Sequence, residues 1–306
     1  MNKKDFIKTN KGTISSTKRN EYLSRLNKTY VKNNIIKSFY SQFNHGSGHE
    51  IETGKFWAYI SSSRLAFDLY SWRADRDNFI DFEFEKKLPG IWYKPNKESS
   101  GVPNMDVYFE TTEEITFIES KFTESPNSVI KLAEAYWQEK DEYHITTKIE
   151  GTNEYETRTF PIECRYHNKK QIAVLFVQFC KKYVGKQLDN NEWFDFAQEI
   201  KHLFGIIFYV IENKELIGNR KICFYNIVYH FDEYKKLGDN SKSTLAISFI
   251  EEAKTVVETI LKSENIQNQF EYELKFVQSE LELHGNEIAY NSSATINDLI
   301  TENFNL

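Results

Sequence analysis

A chain of 306 residues, 40% of them apolar and 24 Phe and 18 Tyr among these, is long and aromatic enough to bury a core as one large domain or two modest ones, which argues against wholesale disorder. No apolar run approaches the roughly 18 residues of a membrane span, and the start MNKKDFIKTNKG has charges with no apolar stretch behind them, against a secretory signal. A net charge of −6 excludes binding of nucleic acid through the whole surface.

The charge is uneven along the chain. Residues 1–40 hold ten Lys/Arg against two Asp/Glu, a net of +8, and the remainder holds 29 against 43, a net of −14. Such a segment suits a phosphate-contacting arm as well as it suits a solvated terminus. Apolar residues near helical spacing over 20–43 predict one or two amphipathic helices, so a basic helical arm is expected over 1–40. HGSGHE then breaks the pattern, and FWAYISSSRLAFDLYSW predicts a helix or a pair of short ones. FIDFEFEKKL, residues 79–88, alternates Phe with acid and predicts a strand. PGIWYKPNKESSGVP holds three of the five prolines and predicts a loop. PNMDVYFETTEEITFIESKFTE predicts two strands, 105–110 and 115–122. SPNSVIKLAEAYWQEK predicts a helix with Ser125 and Pro126 as start signals. The Thr-rich residues 141–161 predict a hairpin insertion around Glu150 and Gly151.

NKKQIAVLFVQFCKKYV and NEWFDFAQEIKHLF predict helices. FGIIFYVIE, residues 204–212, and KICFYNIVYHF, residues 221–231, are dense apolar runs of strand length, expected as two central strands joined by a hairpin or short crossover. KSTLAISFIEEAKTVVETILKSE predicts an amphipathic helix, and FEYELKFVQSELEL alternates like a strand without excluding a helix. Cys164, Cys180 and Cys223 lack CxxC spacing and read as reduced core thiols of a cytoplasmic protein, not as a zinc or disulfide framework.

The chemistry concentrates in the two strands after Pro103. If the four residues TTEE close a hairpin, paired residue numbers sum to 225, so Glu110 faces Ile115 and Asp106 faces Glu119. Lys121, two residues on, shares that face. Two facing carboxylates repel unless a cation relieves them. A hard divalent ion with oxygen ligands, such as Mg2+, would do so, and Lys121 could then serve an attacking water or a phosphate. The bland alternative is a simple Lys121–Glu119 pair at a strand edge.

These residues resemble the PD-(D/E)XK nuclease superfamily, whose signature is an acid at the start of one strand and (E/D)xK on the next, here Asp106 and Glu119-Ser120-Lys121. Pro103 stands three residues before the acid instead of next to it. Residues 46–124 also resemble a bacterial group of restriction endonucleases that pairs GSG-x-E and a serine run with ESKFTE. The helix carrying Gln198 and His202 extends the match to about residue 212. The resemblance implies Asp106, Glu119 and the Ser120 backbone carbonyl as ligands of Mg2+, with Mn2+ as a substitute. It implies Lys121 as the catalytic lysine, Glu50 as a further acid at the metal, and Gln198 as a helix residue beside the site. Glu124 and Ser61 to Ser63 match without a role.

The expected fold is therefore α/β, a restriction-endonuclease-like mixed central sheet flanked by helices. A nuclease core would span 41–265, and 266–306 would be a C-terminal extension. The expected function is a metal-dependent DNA endonuclease of restriction or anti-phage defence, with DNA as partner, a homodimer as one route to cutting two strands, and no membrane association. The alternative is a non-cleaving nucleic-acid-binding protein on a nuclease-like fold. A hydrolase of small phosphate esters would leave the basic arm without a purpose.

Overall fold

The computed structural model describes residues 16–17, 19–20, 42–43, 50–57, 61–70, 79–93, 99–121, 129–137, 143–148, 155–160, 165–166, 168–188, 194–229 and 244–277. Most of the expected N-terminal arm, Glu124, Cys164 and residues 278–306 lie outside them. Residues 16–17, 19–20 and 42–43 are helical.

The fold is α/β, a five-stranded mixed sheet with helices on both faces. Its strands are β1 (Asp81–Lys87), β4 (Asn104–Glu110), β5 (Glu114–Lys121), β8 (Lys221–Tyr229) and β9 (Phe270–Val277), in the order β1-β4-β5-β8-β9. The first three form an antiparallel meander, while β8 runs parallel to β5 and β9 parallel to β8. Two small pairs stand apart: β2 (Trp92–Tyr93) with β3 (Ser99–Ser100), and β6 (Tyr143–Lys148) with β7 (Tyr155–Phe160). The latter are antiparallel strands, as expected of a hairpin within residues 141–161. Helix α1 (Ser62–Tyr70) packs on β4 and β5. Helices α2 (Lys170–Tyr183) and α3 (Phe196–Glu212) precede β8, with one short turn α4 (Lys214–Ile217) between. Helix α5 (Thr244–Ser263) connects β8 to β9 and packs on α2 and α3. No helix among the described residues is long and apolar enough to cross a membrane.

Aromatic rings fill both faces of the sheet. On the α1 side Phe84 meets Phe43 at 5.1 Å and Phe67 at 5.3 Å. On the α3 side Tyr108 meets Phe117 at 5.3 Å, Tyr209 meets Phe117 at 5.6 Å, and Phe224 stacks on Tyr272 at 4.7 Å. Each such ring contributes roughly 1.5–3 kcal/mol on full burial. Cys180 and Cys223 are buried free thiols, as expected.

Three expectations are corrected. Residues 204–212 are not a strand; they are the second half of α3. That half is enclosed on two sides, by Tyr108 and Phe117 against Tyr209 and by Tyr136, Tyr166 and Phe176 against Phe204. A helix buried all round carries the same unbroken apolar run as a central strand. Consequently β8 has no hairpin partner in 204–212; it pairs parallel with β5 through a helical crossover. The helix expected after Pro126 is, among the described residues, one 3-10 turn at Glu134–Tyr136. Residues 270–277, placed in a C-terminal extension, supply the sheet's fifth strand.

Candidate active site

The β4–β5 hairpin has the expected register: Val107 pairs with Ile118 and Glu110 with Ile115. Its loop is closed by the Thr111 N–H donating to the Glu114 carbonyl at 2.9 Å, and by the Thr111 hydroxyl accepting from the Glu113 and Glu114 amides. Carried one residue on, this register sets Asp106 opposite Glu119. On the other side of β4, Phe84 pairs with Val107 and Lys86 with Met105, so Glu85 is level with Asp106. Glu119 in turn pairs with Asn226 on β8. One row across four strands thus reads Glu85, Asp106, Glu119, Asn226.

The row runs from partly exposed to buried. Glu85 and Asp106 keep some exposure, whereas Glu119 and Asn226 are 3% and 2% exposed. Asp106 accepts from the Ser120 amide at 2.6 Å. Lys121 donates to Glu119 Oε1 at 2.7 Å and to Gln198 Oε1 at 2.6 Å, and Gln198 Nε2 donates to the same Glu119 Oε1 at 2.7 Å. The simple Lys121–Glu119 pair is therefore real, but it is one side of a three-membered ring that includes the glutamine.

Helix α3 delivers Gln198 because Asp195 caps it. The Asp195 carboxylate accepts from the Gln198 amide at 3.1 Å, so Gln198 stands at the third helical position. A Gln there often reaches back to its own cap; here its side chain goes to Glu119 and Lys121 instead. One turn later His202, buried, brings Nε2 to 3.7 Å from Glu119 Oε2. Behind them Glu199 accepts from the Tyr272 hydroxyl at 2.7 Å.

The carboxyls of the row raise one another. Burial pushes the Asp106 carboxyl well above its usual range, and Glu119 and Glu85 add to this, while Lys121 and the Ser120 amide oppose it. Glu85 is pushed up to about 8, first by burial, then by Glu119 and Glu50. Glu50 therefore belongs to the same electrostatic cluster. Its turn is tied down by the Glu50 N–H donating to the Phe43 carbonyl and the Phe56 N–H donating to the Glu50 carbonyl, both at 3.0 Å. Helix α1 starts at Ser62, with the Ser61 carbonyl accepting from the Leu65 amide at 3.1 Å, so the serine run is a helix start.

Glu85 was not among the residues singled out from sequence. It has a positive φ of 54°, rare for a residue with a side chain, and such outliers gather at functional sites. The turn there breaks the alternation of β1, so Glu83 and Lys86, three apart, pair with each other and Lys86 lies 4.5 Å over the Tyr108 ring. Glu199, Asn226 and Tyr272 were also missed; the signal was an Asn inside the apolar run KICFYNIVYHF.

The donor set of Glu50, Glu85, Asp106 and Glu119 is all carboxyl oxygen, the kind that hard divalent cations take. Among the described residues, no three His, Cys, Asp or Glu side chains already converge as a ligand set. The residues fit such an ion in chemistry and charge, as a crowded row and not as a finished cage. Compared with known proteins, the chain matches no family model, no curated protein and no solved structure.

Proposed function

We propose that the protein is a metal-dependent DNA endonuclease of the PD-(D/E)XK type, serving bacterial defence as a restriction enzyme or anti-phage effector. One observation carries the reading: the hairpin register that sets Asp106 opposite Glu119, with Lys121 bonded to Glu119 at 2.7 Å. The mixed sheet with an antiparallel meander followed by a parallel strand is compatible with a restriction-endonuclease-like core.

In this reading Asp106 and Glu119 would hold Mg2+, with the Ser120 carbonyl and Glu50 assisting. A bound ion would supply Lewis-acid polarisation of the phosphate and would acidify a water. The chain's own residues do the rest. Gln198 locks the Glu119 carboxylate and the Lys121 ammonium at a fixed distance, so that neither rotates away. Lys121 brings a positive charge to the end of an anionic row, where it orients a water or offsets charge growing on a phosphate oxygen. Glu85, largely protonated near neutrality, keeps the row from carrying its full negative charge before a cation arrives.

The test is incubation with plasmid and linear DNA, with and without Mg2+ or Mn2+. Cleavage should require the metal and fall roughly 10²–10⁴-fold in Lys121→Ala and Asp106→Ala. Equal activity in wild type and variants overturns the assignment. Metal-stimulated DNA binding without cleavage of methylated or unmethylated DNA would instead favour a non-cleaving binding protein.

A further inference from the structure

We infer that His202 is a positioning residue for Glu119, setting the orientation of that carboxylate toward a divalent cation; this rests on the metal reading above. Gln198 and His202 are one helical turn apart on α3 and meet the two oxygens of a single carboxylate. Gln198 Nε2 donates to Oε1 at 2.7 Å, and His202 Nε2 stands 3.7 Å from Oε2. Lys121 also takes Oε1, so the imidazole is the group from α3 on the other oxygen.

The surroundings explain why a histidine there needs a reason. His202 is 2% exposed, and its ring stands edge-on to Phe224, centroids 6.1 Å apart at 88°. An apolar side chain would fill that place without the cost of burying a polar ring. Burial first, then the charges of Lys121 and Lys201, hold the imidazole neutral against Asp195 and the Asn104 carbonyl.

At 3.7 Å the approach exceeds a hydrogen bond. The ring therefore limits the carboxylate's rotation and presents a nitrogen to the oxygen that Gln198 and Lys121 do not hold. Partners of this kind behind a ligating carboxylate fix its orientation, and their loss typically lowers metal affinity 10–100-fold.

The experiment is a Mn2+ titration of the full chain without DNA, followed by electron paramagnetic resonance. Wild type is compared with Asp106→Asn, His202→Gln and His202→Met, and His202→Phe serves as a second variant without a polar nitrogen. Gln and Met have similar length and flexibility, and Gln alone keeps a polar group to present to the second carboxylate oxygen. Affinity should fall about 10–100-fold in His202→Met and stay within about threefold of wild type in His202→Gln. Equal affinity in wild type and His202→Met, or equal loss in the Gln and Met variants, overturns the positioning role while leaving the metal site standing. Wild-type affinity in Asp106→Asn overturns the metal reading itself, and this inference with it.

Discussion

Two carboxyls of the folded protein hold their protons near neutrality. Glu199 is pushed from 4.5 to about 8, chiefly by burial; the nearby Asn226 side chain, the Tyr272 hydroxyl and the charge of Lys121 oppose the shift, and Glu119 adds to it. Glu85 reaches the same region through burial and the charges of Glu119 and Glu50, opposed by the Asn104 amide and Lys87. An acid whose pKa is raised on folding binds its proton more tightly in the native state than in the unfolded one. Its contribution to stability is complete below about pH 4.5 and is lost as pH rises through about 8. A glutamine in its place has no such dependence. In EDTA, wild type should therefore lose Tm relative to Glu199→Gln between pH 5 and pH 8.5, and relative to Glu85→Gln over the same window. A Tm difference that stays constant with pH for both variants would show that neither carboxyl takes up a proton on folding. The Tyr272 hydroxyl donates to a Glu199 carboxyl oxygen, and a glutamine carbonyl accepts the same bond, so Glu199→Gln leaves the packing between α3 and β9 in place.

At the scale of elements, the hairpin and helix α3 make the contrast between what sequence conveys and what it conceals. A four-residue loop fixes the register of the two strands it joins, so Asp106, Glu119 and Lys121 were legible as one group before any coordinates. The partner of Asp106 on β1 was not, because residues 88–103 separate β1 from β4 and no short loop sets their alignment; Glu85 emerges only from the observed pairing. Glu199 was hidden for a different reason. Its hydrogen-bond partner is Tyr272 and Asn226 lies near, and strands β8 and β9 come beside α3 only through tertiary packing. The run 204–212 was ambiguous in principle, since periodicity vanishes when every side is buried. Gly205 is the residue that lets this helix sit where it does. A Cβ there would lie 2.7 Å from Pro103 Cγ and 2.8 Å from Leu88 Cβ. In a free helix Gly→Ala gains up to about 1 kcal/mol, but overpacking costs typically about 1–3 kcal/mol, so the clash should win. Gly205→Ala is expected to destabilise the protein in a urea melt. It should also weaken the Gln198 hold on Glu119, because lifting the helix from Pro103 tilts the face that carries both Gln198 and His202. A urea midpoint at or above the wild-type value would mean that α3 has room to spare.

For the proposed DNA endonuclease, the charge of the whole molecule poses an electrostatic problem. Outside residues 1–40 it carries 43 acidic against 29 basic side chains, and its candidate site is a row of carboxylates. Attraction must come from elsewhere, and residues 1–40 hold a net +8. One of their described residues reaches the site's neighbourhood: Arg19 lies 5.4 Å over the ring of Trp57, next to Phe56, whose amide donates to the Glu50 carbonyl. If residues 1–15 hold phosphates, Arg19 ties them in sequence to the neighbourhood of the turn that carries Glu50. Removing residues 1–15 tests this cleanly. The deletion takes four lysines and one aspartate and leaves Arg19 on Trp57. Every phosphate that the shortened chain no longer neutralises should reduce the slope of log affinity against log salt by about 0.9. The truncated chain is thus expected to bind duplex DNA more weakly at low salt, with a slope shallower by about 1–4, and to bind Mn2+ as tightly as the full chain. An unchanged slope would place the DNA-holding charge on the acidic body and leave the basic segment without a part in binding. A loss of Mn2+ affinity would show instead that the segment supports the site's structure.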